Sequence, residues 1–323
     1  MNEAYVIGLD VGGTRIKSGA VSRNGTLTDT GLAPSGFAMK PESLLECLAC
    51  EIQRITTARG RKPEAVTLGF PGAVDPNRGV VLLPGKLQIE RFPIVPLLRE
   101  RTGLKVTADN DGRLSILAEV HYGQARMYKW AVTITLGTGV GSGVMLDGQI
   151  LRDPHLQFGT QASHIIQEAH SDRLCITRAR GTANILCSAT ALAMAVRDGL
   201  YRGLPSVLSD DWFEDPHKID FEAVLWGVDQ GDRLCLDALG RWTYHLGCFL
   251  SSVVHMYSPE IIILSGGATH GARHFLEPVR EHVNQHTFHW PPDKNIPIVL
   301  TELGEHANVL GAASLAWKLA DRF

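Results

Sequence analysis

The 323-residue chain has little excess charge: 31 Lys and Arg against 34 Asp and Glu leave a formal net charge of −3. That balance gives no electrostatic case for nucleic acid or an anionic membrane surface, and suits a small neutral or locally neutralised substrate. Cysteine is sparse, six in the whole chain, and no spacing suggests a disulfide framework. Cys47 and Cys50 have Cys-x-x-Cys spacing but fall inside the amphipathic run 41–57. A redox pair opens a helix after a strand, so inert thiols are expected. No apolar run approaches membrane-spanning length, and MNEAYVIGLD is too short and too acidic for a signal peptide. A cytoplasmic protein is expected.

What the chain does have is glycine in a repeated setting. An apolar strand, a glycine turn and a second strand occur twice. The first is Tyr5-Val-Ile-Gly-Leu-Asp10, Val-Gly-Gly-Thr14 and the run 15–21; the second is 131–136, Gly137-Thr-Gly139 and the run 140–146, closed by Asp147-Gly148. Asp-Gly between apolar strands signals a hairpin. The duplication predicts two similar α/β domains. Further strands are predicted at 65–69, 105–108, 261–264 and 298–300. Apolar spacing near 3.6 predicts helices at 41–57, 112–122, 188–198, 233–257 and 307–319. Residues 201–220 read as a surface excursion.

In Asp10-Val-Gly-Gly-Thr14 the glycines let backbone N–H groups approach a phosphate oxygen, and Thr14 adds a hydroxyl. Asp10, at the strand end, can hold Mg²⁺ directly or through water. No Gly-Lys-Ser/Thr follows, so this is not a P-loop; a plain glycine hairpin is the alternative. The run from Gly137 to Gly143 has four glycines in seven residues, more than a hairpin needs. Ile261-Ile-Ile-Leu-Ser-Gly-Gly267 is a buried strand ending where a nucleotide can lie against the backbone. Asp109-Asn110-Asp111 sits at a strand-to-helix corner, where one residue can cap the helix while another projects into a cleft.

These motifs, with Gly69-Phe-Pro-Gly-Ala-Val-Asp-Pro76 and the C-terminal Gly311-Ala-Ala, resemble the ROK family of bacterial sugar kinases and sugar-responsive repressors, within the actin-like ATPase superfamily. The resemblance covers nearly the whole chain. It implies an α/β fold of two ribonuclease-H-like domains with a cleft between them, one over 1–115 plus 303–323 and a larger one over 116–302. It implies ATP-dependent phosphorylation of a hexose or related sugar hydroxyl, with Asp111 as general base and Mg²⁺ at Asp10. Gly12, Gly13, Thr14 and Lys17 would serve ATP from one domain, and Gly137, Thr138 and Gly139 from the other. Gly266 and Gly267 would meet the adenosine. Gly72, Asn110, Asp111, Gln161, His164 and Asn184 would bind the sugar. A homodimer is also implied.

The chain departs from the family where many members hold a structural zinc, in Gly-Glu-x-Gly-His and Cys-x-Cys-Gly-x-x-Gly-Cys-x-Glu. These align with Thr160-Gln-Ala-Ser-His164 and Cys175-Ile-Thr-Arg-Ala-Arg-Gly-Thr-Ala-Asn184. His164 and Cys175 remain, but Thr177 and Thr182 replace two zinc cysteines, so no structural zinc is expected. A substitute site from His155, His164, His170 and Cys175 is the alternative. Without zinc, the segment 155–188 would be held by packing of Ile165, Ile166, Leu174 and Ile176. Both sugar-binding glutamates are amides here, Gln161 and Asn184, and an amide donates as well as accepts. Glucose is the default substrate, with N-acetylmannosamine, fructose, allose or a polyol open. Lys86 aligns with a family asparagine, either as a substrate contact or as a solvated lysine. Asp111 need only be a carboxylate near its ordinary acidity, accepting the proton late. Two competing functions are a repressor, for whose DNA-binding domain nine residues before Asp10 leave no room, and a sugar-binding pseudokinase.

Overall fold

The computed structural model describes residues 3–13, 15–35, 40–83, 91–152, 161–288, 291 and 294–321. Thr14, Lys86 and His155 lie outside the described residues. The chain opens with β1 (Val6–Val11), β2 (Arg15–Val21), β3 (Leu27–Pro34), α1 (Pro41–Arg59), β4 (Val66–Phe70), β5 (Ala73–Asp75) and β6 (Val80–Leu83). Then come α2 (Ile94–Thr102), β7 (Val106–Asn110) and α3 (Asp111–His121). The first sheet has the order β3-β2-β1-β4-β7. Strands β1 to β3 form an antiparallel meander, while β4 and β7 run parallel to β1 and to each other.

A second set follows: β8 (Ala131–Leu136), β9 (Val140–Leu146), β10 (Gln149–Ile150), α4 (Ala183–Cys187), α5 (Ala189–Tyr201), α6 (Ser209–Glu214) and α7 (Phe221–Asp229). The chain ends with α8 (Arg233–Tyr257), β11 (Ile261–Ser265), α9 (Leu276–His286), β12 (Ile298–Leu300) and α10 (Ala307–Ala320). The second sheet is ordered β10-β9-β8-β11-β12, the same third-second-first-fourth-fifth arrangement. In it β11 is parallel to both β8 and β12. The repeated strand–turn–strand motif is therefore a repeat of sheet topology. Asp147 and Gly148 carry φ of 49° and 73°, the two left-handed residues that a tight Asp-Gly hairpin requires.

Alternation along β1 sends side chains to two faces. Ile7, Leu9 and Val11 join Leu44, Leu48, Ile52 and Ile55 of α1 in one core, whereas Val6 joins Val309, Ala313 and Trp317 of α10 in another. Each fully buried Leu or Ile stabilises by about 1.5–3 kcal/mol. Gly311 brings α10 onto α3, since any side chain there would strike the Leu114 carbonyl.

Two compact units result, 1–129 with 143–160 and 301–323, and 130–142 with 161–300. The division keeps α3 whole in the first unit, where a boundary at 115 would have cut it. The stretch 201–220 contains α6; Tyr201 and Phe213 on it are 82% and 83% exposed, while Leu208 and Ile219 are buried and anchor it. Among the described residues no helix is long and apolar enough to cross a membrane.

Candidate active site

In the first unit Asp10 lies near the end of β1, and antiparallel register places Lys17 of β2 opposite it, on the same face. The Lys17 ammonium donates to Glu305, at 2.9 Å to the carbonyl and 3.1 Å to Oε2. Asn308, opening α10, donates from Nδ2 to Asp10 Oδ1 at 3.4 Å. Burial pushes the Asp10 carboxyl up to about 6, only partly offset by Asn308 and Lys17.

The corner Asp109-Asn110-Asp111 divides three tasks. Asp109 is fully buried as a counter-ion, 2.6 Å from Arg113 Nε and 2.7 Å from Arg152 Nη2. Asn110 caps α3, its Oδ1 accepting from the N–H groups of Gly112 at 3.0 Å and Arg113 at 3.4 Å. Its Nδ2 donates to the Gly72 carbonyl at 2.9 Å and to Asp111 Oδ1 at 3.0 Å. Gly72, with φ of 79°, is thus tied to the helix start. Asp111 Oδ1 also accepts the Gly112 N–H at 2.8 Å. Burial, then the charge of Asp10, pushes Asp111 up to about 7 against the pull of Gly112, Asn110 and Arg113. The near-ordinary acidity expected from sequence is corrected: surrounding protein and a neighbouring carboxylate penalise its charge.

Gly12 spends its N–H on the Arg15 carbonyl at 2.9 Å, and its own carbonyl accepts from the Ser35 hydroxyl at 2.5 Å.

In the second unit the turn Gly137-Thr138-Gly139 closes on itself, Gly137 N–H donating to the Gly139 carbonyl at 3.0 Å. Thr138 is its exposed tip. The Ala189 N–H, at the start of α5, donates to the Gly137 carbonyl at 2.9 Å. Gly266 has φ of 92°, and a side chain there would strike the Leu136 carbonyl. Gly267 opens a 3-10 turn over Gly267–His274 and has open space where a Cβ would stand. Gln161 is half-buried, with no partner for its amide among the described residues. Asn184 is engaged at both ends: Oδ1 accepts the Val140 N–H at 2.8 Å, and Nδ2 donates to Cys175 Sγ at 3.8 Å.

His164 Nδ1 lies 3.6 Å from Cys175 Sγ, and burial holds this imidazole below its ordinary pKa. Burial would raise the Cys175 thiol, but the polar groups of Thr182, Thr177 and Asn184 outweigh it and leave the thiol below its ordinary value. The buried Thr182 hydroxyl has no hydrogen-bond partner among the described residues. Among them no three His, Cys, Asp or Glu side chains converge as metal ligands. Expected packing of this segment by isoleucine and leucine is overturned. Ile166 and Leu174 are each 55% exposed and Ile176 is 68% exposed. Buried Ala162, Ser163, Ser171, Cys175 and Thr182 hold it, with the bridges Ile166 to Thr182 and Leu174 to Arg180.

Sequence reasoning missed Asn308, Glu305, Arg113 and Arg152. Arg113 stands four residues after Asp109 and was legible from that spacing, whereas the others come from distant segments, Asn308 meeting Asp10 across 298 positions.

A family model described as ROK family matches residues 6–318. A glucokinase of Thermotoga maritima is 30% identical over 320 residues, covering 98% of both chains. A ROK hexokinase from Thermus thermophilus superposes with TM-score 0.79 at 28% identity, over 98% of this chain and 99% of that one. A ROK family glucokinase from Streptomyces griseus, solved with glucose and AMPPNP, gives TM-score 0.84 at 23% identity, over 98% and 100%. With the match running through both sheets and both glycine turns, this chain belongs to the ROK family, in the two-domain actin-like fold.

Proposed function

We propose that Asp111 is the general base of an ATP-dependent sugar kinase. The observation that carries this is a crowded carboxyl, poised near neutrality by burial and by Asp10, at the capped start of α3. The attacking hydroxyl gives its proton to Asp111 while its oxygen forms a bond to the γ-phosphorus and the bond to the β-phosphate oxygen breaks, releasing ADP. Asn110 fixes the Asp111 rotamer through Oδ1, leaving Oδ2 to face the hydroxyl. Asp10 suits Mg²⁺, which would neutralise phosphate charge there: it is a hard oxygen donor, half-buried and costly to ionise without a cation. In the first unit Gly13 would offer backbone to a phosphate, as Thr138 and Gly139 would in the second, where Gly267 offers an open face to the adenosine. Lys17 would reach a phosphate by exchanging its Glu305 partner.

Gln161, with no partner for its amide among the described residues, reads the sugar with His164. An amide in place of a carboxylate favours a substrate that presents an acceptor there, so a sugar other than glucose is the second reading. By family resemblance the protein works as a cytoplasmic homodimer. A coupled ADP-release screen across aldoses, ketoses, amino sugars and polyols, with Asp111→Asn as control, tests the proposal. No sugar-dependent ADP release by the wild type would overturn it.

A further inference from the structure

We propose that Asn184 and Cys175 form a metal-free clamp on the β8–β9 glycine turn, making Asn184 a positioning residue for nucleotide rather than a sugar contact. The inference rests on the kinase reading above only in taking that turn as a phosphate site.

The clamp is a closed ring within the second unit. It leaves β9 at Ser142, whose hydroxyl accepts the Ala162 N–H at 3.0 Å. Ala162 begins the single 3-10 turn Ala162–His164, and His164 Nδ1 meets Cys175 Sγ at 3.6 Å. The sulfur accepts from Asn184 Nδ2 at 3.8 Å, and Asn184 Oδ1 returns to β9 at the Val140 N–H, 2.8 Å away. Turn and side chain are fitted to each other, because a Cβ on Gly139 would lie 2.9 Å from that same Oδ1. The Ala189 N–H on the Gly137 carbonyl holds the other side of the turn.

The donor pattern explains the residue types. A carboxylate at 184 could accept from Val140 but has no hydrogen to give the sulfur, whereas an amide does both. Cys175 is 5% exposed, so its sulfur must find its partners inside the protein. Without further thiolates to share an ion, the remaining sulfur takes the Asn184 amide and faces His164 instead. A fixed turn presents the Thr138 and Gly139 backbone to phosphate without an ordering cost at each binding event.

The test varies MgATP and sugar separately in steady state, and measures equilibrium binding of a non-hydrolysable ATP analogue by calorimetry. Asn184→Leu should weaken nucleotide about tenfold, in KM and in Kd, with sugar KM changed less than twofold; Cys175→Ala, which also frees His164, should weaken nucleotide as much and sugar less. Cys175→Ser, which keeps an acceptor, should restore most of the loss. A rise confined to sugar KM, or an equal rise in both, would overturn the clamp, as would unchanged nucleotide affinity in both variants. A wild type that binds nucleotide without turnover ends the kinase reading and leaves the clamp standing; one that binds none ends both.

Discussion

Replacing Asp111 by Asn should abolish turnover and, at alkaline pH, make the protein more stable. The folded-state pKa of about 7 stands against an ordinary value of 3.8, so the native state binds this proton more tightly than the unfolded chain. For a group raised in the folded state, its contribution is fully present below pH ~4 and is lost as pH climbs towards ~7. About three pK units would correspond to roughly 4 kcal/mol. That is a ceiling, because the residue is only half-buried and its charge is linked to that of Asp10. Discounted for solvent screening, about 1–2 kcal/mol of destabilisation remains at pH ~8. The asparagine amide in the variant never ionises and escapes it, while its Oδ1 still accepts from Gly112 and Asn110. At about 1–2 °C per kcal/mol for a chain this long, Asp111→Asn should melt roughly 1–4 °C above wild type at pH ~8, the gap closing towards pH ~4. Loss of the base should lower kcat by about 10²–10⁴. Melting curves and kcat on the same samples check both. A variant no more stable at pH ~8 than at pH ~4, relative to wild type, would refute the burial argument; kcat within threefold of wild type would remove Asp111 from the chemistry.

Three further outcomes are expected. The acid limb of kcat/KM should follow ionisation of the free enzyme with an apparent pKa near 7, from Asp111 held up by burial and Asp10, and a limb below pH ~5 would contradict it. Gln161→Glu should re-rank the sugars by about 1–3 kcal/mol of differential transition-state binding; an unchanged kcat/KM order across the screen would show that this amide does not set specificity. Protein purified without added metal or a metal-affinity tag should carry no zinc by elemental analysis. Stoichiometric zinc, with unfolding on chelation, would show that other side chains complete a site around His164 and Cys175.

Local signals in the chain were enough to set the architecture and the places where chemistry could occur. Strand periodicity, glycine turns and the Asp-Gly hairpin are such signals, because backbone geometry restricts which residues make them; the long amphipathic helices α1, α8 and α10 were legible for the same reason. Short elements such as α4, α7 and α9 were not. On α9 only Val279 and Val283 are buried, too few to set a period. What each polar residue does was settled only when distant segments packed together. Asp109, Asn110 and Asp111 are adjacent and chemically similar, yet one is buried between arginines, one caps a helix and one is poised near neutrality. Acidity depends on the charges and mass gathered around a group, and here those come from Asp10 and Arg113 as well as from burial. Likewise the loss of two zinc cysteines was visible in the letters, but the hydrogen bonds that Cys175 makes with Asn184 needed residues from separate segments to meet.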